Sequence, residues 1–286
     1  MAEPFGLIEA RRALAEDRAD DDVTTRLLGA AATQSADARF VAEGRLVVAG
    51  VPLLATVFHE LDPAAAVTPA IPEGSWALPG ARVATVRGAA GALLAGERVA
   101  LNFLQRLSGV ATITRQAVDA VSGTRAKITH TRKTTPGLRN LELYAIRIGG
   151  GVENRASLAD AILWKDNHWA LLDGRSLRDA LRNAPDGLPV IVEVESDQQV
   201  EAALAAGVTH LLVDNQLPDQ LAAWARRAGP AVTIQASGGI TAGTARAYAE
   251  AGASLIAIGA LTHSALAASI RCDILSGSSQ DGGHPQ

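Results

Sequence analysis

Cysteine, lysine, methionine and aromatic residues are all scarce in this 286-residue chain. It carries one cysteine (Cys272), one methionine and 3% aromatics. A single thiol excludes a disulfide framework and a multi-cysteine zinc site, and it suits a reducing compartment. No apolar run approaches the roughly 20 residues of a membrane span, and the acidic N-terminus lacks the basic-then-apolar order of a signal peptide. A net charge of −4 and scattered tryptophans offer nucleic acid neither a basic footprint nor a stacking platform. No GxGxxG follows any strand-like run, which argues against a doubly wound dinucleotide-binding sheet. The absences converge on a cytoplasmic, metabolic protein.

The scarcity of lysine is the most pointed of them. Of 26 basic residues only Lys127, Lys133 and Lys165 are lysines. Where the chain needs a surface cation it uses arginine, so a lysine marks a place where a compact ammonium matters.

What is present changes texture along the chain. Residues 7–18 have helical spacing, and short strand-like runs follow at 38–42, 45–50 and 82–86. The stretch 88–107 reads as an amphipathic helix with Leu94, Arg98, Leu101 and Gln105 on successive turns, and a second helix runs through 120. From about 126 a unit repeats: a short β-branched run, polar residues, then a helical segment. The runs are 126–129, 161–164, 190–194, 210–213, 232–236 and 255–258, with helices expected near 139–148, 176–184, 197–206, 217–228, 241–251 and 264–270. Such alternation implies a parallel sheet, and six or more such units suggest a closed (β/α) barrel. The expected division is a domain over 1–110 with part of the C-terminal tail, a barrel over 111–275, and a small, polar, disordered tail over 276–286.

In such a barrel the residues past each strand converge on one mouth. The exits read His130, Arg132 and Lys133; Lys165, Asp166, Asn167 and His168; Glu193 and Glu195; Asp214 and Asn215; Gln235, Ser237, Gly238 and Gly239; Gly259 and Ala260. Unpaired buried charge is expensive, so a purely structural barrel has little reason for this polarity. Gly238-Gly239 opening a helix, with Gly259-Ala260 after the next strand, offers backbone N–H groups to a phosphate. Glu193 and Asp214 are hard oxygen ligands for Mg²⁺ carried by a polyphosphate; each serves equally well as an ion-pair partner of Arg132 or Lys165. Arg132, Lys133, Arg155 and Lys165, with Arg98 from the preceding helix, would bind a second anionic ligand. The charge map fits phosphoryl or glycosyl transfer. A Schiff-base aldolase built on Lys133 or Lys165 is the rival chemistry, and a ligand-binding homologue without turnover is the third reading.

The stretch HTRKTTPGLRNLELYAIRIGGGVENRASLADAILWKDNHWALL (130–172) resembles the central signature of the quinolinate phosphoribosyltransferase family. Residues 96–112, EVES (193–196), LLVDN (211–215), SGGI (237–240) and IGALTHS (258–264) are similar to it too, and the likeness spans about 7–275. The resemblance implies an α/β fold with an α/β sandwich N-terminal domain followed by an incomplete (β/α) barrel of fewer than eight strands, and a homodimer whose active sites are shared through Arg98. It implies catalytic roles for Lys133, Lys165, Glu193 and Asp214, with Mg²⁺ held indirectly by the two acids through the diphosphate donor. His130, Thr131, Arg132, Asn154 and Arg155 match substrate-binding positions, and Ser237, Gly238, Gly239, Gly259 and Ala260 match the 5′-phosphate site. The implied reaction joins quinolinate to 5-phosphoribosyl diphosphate with decarboxylation.

Three positions depart from the family pattern. Glu153-Asn154 stands where Asn-His is usual, His130 where Asp is usual, and Gln235 where an acid is usual. These changes surround the acceptor side, so a different heterocyclic carboxylate is the alternative acceptor. Trp164 and Trp169, flanking KDNH, are expected to narrow the acceptor pocket.

Overall fold

The computed structural model describes residues 3–276, which divide into two compact units. Among the described residues the first comprises 3–112, Pro136–Gly149 and 265–276; the second comprises Ile113–Thr135 and Gly150–Ser264. The sequence division at 110/111 lies close to the first crossing. It did not anticipate that 136–149 leaves the barrel to join the first unit.

The first unit is built on a four-stranded antiparallel sheet in the order Ile270–Ser276, Ser35–Ala42, Arg82–Ala89, Ala66–Pro69. Along Ser35–Ala42 burial largely alternates, with Ala36, Ala38 and Phe40 turned inward, as expected of a sheet with one covered face. Helix Val51–Leu61 buries Leu53, Leu54, Val57 and Phe58, and the Phe58 ring meets Phe40 at 6.2 Å.

Three expectations need correction here. The two helices expected across 88–120 are one, Ala90–Ala120. Ser108-Gly109 reads as a break, but Gly109 is there for close approach: a Cβ on it would lie 2.0 Å from the Leu266 carbonyl oxygen. The stretch 264–270 is not helical; a short helix, Ala260–His263, precedes it and strand Ile270–Ser276 follows. That strand pairs along its length with Ser35–Ala42, a partner more than 200 positions away in the chain, and pairing overrides local propensity. Ser276, expected to start a disordered tail, pairs with Ala36, and the rest of that tail lies outside the described residues.

The second unit holds six parallel strands: β1 Lys127–Thr129, β2 Ile162–Trp164, β3 Val190–Val194, β4 His210–Asp214, β5 Thr233–Ser237 and β6 Leu255–Ala257. Their order in the sheet is β1-β6-β5-β4-β3-β2. From β2 to β6 each strand neighbours the next in sequence, and the last neighbours the first, which is the connectivity of a barrel. The seam between β1 and β2 carries no ladder; Val152 forms an isolated parallel bridge to Thr129 there. The barrel is therefore incomplete, as the family resemblance implied, whereas the repeating units alone suggested a closed one. Ala161, Leu163, Ile191 and Leu212 pack together. Since side chains alternate, Lys165, Glu193 and Asp214 continue the same inward faces at the C-terminal ends of β2, β3 and β4.

Candidate active site

The mouth of the barrel carries both signs of charge in close order. Lys165 follows β2, and its Nζ lies 3.0 Å from Glu193 Oε2. The carboxylate is 6% exposed and the ammonium 44% exposed, so the pair is half in water. Lys165 also precedes helix Asp166–Ala170, and its main-chain N–H donates to His168 Nδ1 at 3.0 Å. His168, part of the exit inventory, thus serves to hold the turn that presents Lys165.

Glu193, Glu195 and Asp214 bring carboxylate oxygens within 4.8 Å of one another. Glu195 was in the exit inventory but not among the candidate site residues; its place two residues beyond Glu193, on the same strand phase, is the signal that finds it. Burial, followed by the charges of Asp214, Glu193 and Asp166, raises its carboxyl above the ordinary range. Three acids this close, with one ammonium for compensation, form a donor set suited to a hard divalent cation.

Across the mouth stand the arginines. Burial, then the like charge of Arg132, holds the Arg155 guanidinium below its usual value, with Glu193 and Asp160 opposing. Arg132 Nε is buried with no hydrogen-bond partner. A buried donor left open beside a second guanidinium suits an anionic ligand with planar oxygens. Thr131 Oγ1 accepts from the Lys133 N–H at 3.2 Å, and the Lys133 carbonyl accepts from Thr262 Oγ1 at 2.7 Å. The Lys133 side chain passes over Gly259, where a Cβ would stand 3.4 Å from its Cδ and 3.0 Å from His263 Nε2.

The glycine turns follow from equally tight packing. Gly238 adopts φ +91°, and a Cβ there would fall 2.2 Å from Asn215 Oδ1 and 2.6 Å from Asn215 N. Asn215, itself at φ 52°, donates its main-chain N–H to the Ser237 carbonyl (3.1 Å) and its side-chain amide to Asp214 Oδ2 (2.6 Å). The acid-bearing turn and the Ser237-Gly238-Gly239 turn are thereby locked together. Gly239 (φ +59°) leads into helix Ala242–Glu250, whose first turn is closed by Thr244 Oγ1 accepting from Thr241 N–H at 3.0 Å.

Several expected placements change. Gln235 is not at the strand exit but mid-strand in β5, level with Leu212 and Leu255 and fully buried. Its Oε1 accepts from His210 Nε2–H at 2.8 Å, and its own Nε2 is buried without a partner. His210 stands at the start of β4, in phase with Leu212 and Asp214, which is what turns it inward. Trp164 does not narrow the pocket. It lies on the opposite face of β2 from Leu163 and Lys165, with its ring 5.4 Å from His168 and 6.2 Å from Trp169. Trp169 donates its Nε1–H to the Glu193 carbonyl at 2.9 Å, bracing the back of β3. His130 is buried and engaged by Asn154. Arg98 belongs to the first unit, on helix Ala90–Ala120, where it lines a cavity of about 370 Å³ with Arg12, Arg106, Asn102 and Gly137.

Comparison with known proteins gives this geometry its context. Residues 110–273 match the family model "Quinolinate phosphoribosyl transferase, C-terminal domain", and residues 22–108 match the corresponding N-terminal domain. A Bacillus subtilis protein named probable nicotinate-nucleotide pyrophosphorylase [carboxylating] is 38% identical over 261 residues, covering 91% of this chain and 90% of its own. The Mycobacterium leprae nicotinate-nucleotide pyrophosphorylase [carboxylating] is 40% identical, covering 92% and 95%. The crystal structure of nicotinate-nucleotide pyrophosphorylase from Ehrlichia chaffeensis superposes with a TM-score of 0.89 at 34% identity, covering 96% of this chain and all of that one.

Proposed function

Because the chain belongs to the quinolinate phosphoribosyl transferase family, we propose that it joins quinolinate to 5-phosphoribosyl diphosphate, releasing diphosphate and CO₂ and forming nicotinate mononucleotide. The observation that carries this reading is the convergence of Lys165, Glu193, Glu195 and Asp214 on one rim, with half-buried Arg132 and Arg155 beside them. One side is built for a cation-bearing polyphosphate and the other for a dicarboxylate.

Bond formation runs from the pyridine nitrogen to the anomeric carbon of the ribose, as the bond from that carbon to the diphosphate oxygen breaks. The carbon–carboxylate bond next to the ring nitrogen then breaks. Its electron pair stays on the ring carbon beside the cationic nitrogen until a proton arrives, and CO₂ departs. Arg132 and Arg155 hold the carboxylates in register by charge-assisted hydrogen bonds. Lys133 and Lys165 place positive charge where negative charge develops. Ser237 to Gly239 and Gly259-Ala260 hold the 5′-phosphate through main-chain N–H groups. Glu193 and Asp214, with Glu195, would hold Mg²⁺, which when bound neutralises the leaving diphosphate.

The homodimer implied by the resemblance is part of the proposal, with Arg98 contributed to the partner's acceptor site. Among the described residues no helix is long and apolar enough to cross a membrane, which is compatible with a cytoplasmic enzyme. Steady-state assay with quinolinate, 5-phosphoribosyl diphosphate and Mg²⁺ tests the assignment. Nicotinate mononucleotide is the expected product, and its absence at high enzyme concentration overturns the reading.

A further inference from the structure

We propose that His130 is a positioning residue that sets where Arg155 enters the barrel mouth, by standing in for a rung of main-chain hydrogen bonding. The inference rests on the functional reading above. The segment leading to Arg155 fills the seam between β1 and β2, and it begins as a parallel ladder. Val152 N–H donates to the Ile128 carbonyl at 2.8 Å, and Thr129 Oγ1 donates to the Val152 carbonyl at 2.9 Å. The next rung of a regular parallel ladder would send the Asn154 N–H to the His130 carbonyl. Instead that N–H goes to His130 Nε2 at 3.0 Å, and the vacated carbonyl accepts from Asn154 Nδ2 at 3.2 Å.

An imidazole and a carboxamide are thus inserted between two backbones that would otherwise touch. Insertion pushes the segment away from β1 at residue 154 while keeping every polar group of the rung paired. Asn154 Oδ1 then accepts from the Arg155 N–H at 2.9 Å, and Arg155 Nη1 reaches the Ala161 carbonyl at 3.4 Å. The guanidinium is left beside Arg132 and Glu193. His130 is 2% exposed, so its ring is an internal spacer and not a ligand group facing solvent. The Asn154 contact also fixes the ring's chemistry: Nε2 must be the unprotonated, accepting nitrogen.

Two substitutions separate spacing from simple burial. His130→Leu keeps a comparable volume but removes the acceptor. His130→Gln retains an amide oxygen that reaches about as far as Nε2. With His130→Leu, KM for quinolinate should rise about tenfold while KM for 5-phosphoribosyl diphosphate stays near the wild-type value, the size expected for one buried hydrogen bond left unmade. His130→Gln should recover most of the loss. If His130→Leu does not fold, as judged by urea unfolding, Asn154→Ala carries the test. It keeps the main-chain N–H but removes the side-chain contacts to the His130 carbonyl and the Arg155 N–H, and should show a rise confined to the same KM. Unchanged quinolinate KM in the folded variant, or equal loss in both substrates' KM, overturns the positioning role. Absence of product from the wild-type protein would instead overturn the functional assignment, so the two failures are distinguishable.

Discussion

His210 offers the sharpest quantitative test of how the barrel interior is built. Burial holds its imidazole below the ordinary value of 6.5, only partly opposed by the hydrogen bond to Gln235. The fold therefore favours the neutral ring. Above about pH 6.5 both folded and unfolded states carry neutral imidazole, and the contribution is fully present. As pH falls below that value the unfolded chain takes up a proton that the folded chain resists, so stability declines. One proton limits the slope to about 1.4 kcal/mol per pH unit. The comparison variant is His210→Phe, which cannot titrate. It leaves the Gln235 side-chain oxygen without its donor and costs roughly 1–3 kcal/mol above about pH 6.5, because a buried acceptor loses its partner. Urea unfolding between about pH 5.5 and about pH 7.5, with the variant subtracted from the wild type, isolates the histidine from all other titrating groups. The difference should shrink steadily below about pH 6.5 and be flat above it. A further variant, Gln235→Glu, supplies a carboxylate that favours the imidazolium and should reverse the sign of the slope. If the wild-type and His210→Phe stabilities run parallel across the range, the interior placement of the pair is wrong.

Two other outcomes follow from contacts at the mouth and in the first unit. Lys165→Met leaves the buried Glu193 carboxylate beside two other acids, and should cost about 1–3 kcal/mol, below the value for a fully buried pair because the ammonium is partly solvated. The double variant with Glu193→Gln should recover most of that stability, and a double-mutant cycle giving zero coupling would refute the pairing. Gly109→Ala would ordinarily stabilise a helix interior by about 1 kcal/mol. Here the added methyl meets the Leu266 carbonyl at 2.0 Å, so a lowered Tm is expected and a raised one would contradict the close approach.

Helix and strand positions in the barrel were legible from the sequence because each repeat is a local matter. The helix expected over 139–148 is Arg139–Ile148, and the run at 190–194 is β3 Val190–Val194. Yet Arg139–Ile148 was counted as a barrel helix and belongs to the first unit. Amphipathic spacing says that one face will be covered, not by what. The same limit explains the error at 264–270, whose fate was set by a strand partner near the other end of the chain. Trp164 was misplaced for a different reason: a strand of three residues gives little alternation from which to read its two faces.

By itself the sequence determined the repeating strand–helix units, the polar exits of the strands, and the glycine turns at 238–239 and 259. Each depends on neighbours within a few residues, where backbone geometry and hydrophobic period act directly. Only tertiary structure decided that Gln235 meets His210 inside the barrel, that Glu193 and Glu195 meet Asp214, and that His130 engages the amide of Asn154 across the open seam. Those pairs are separated by 19 to 25 positions and meet through inter-strand register or the β1–β2 seam, which packing of the whole sheet fixes.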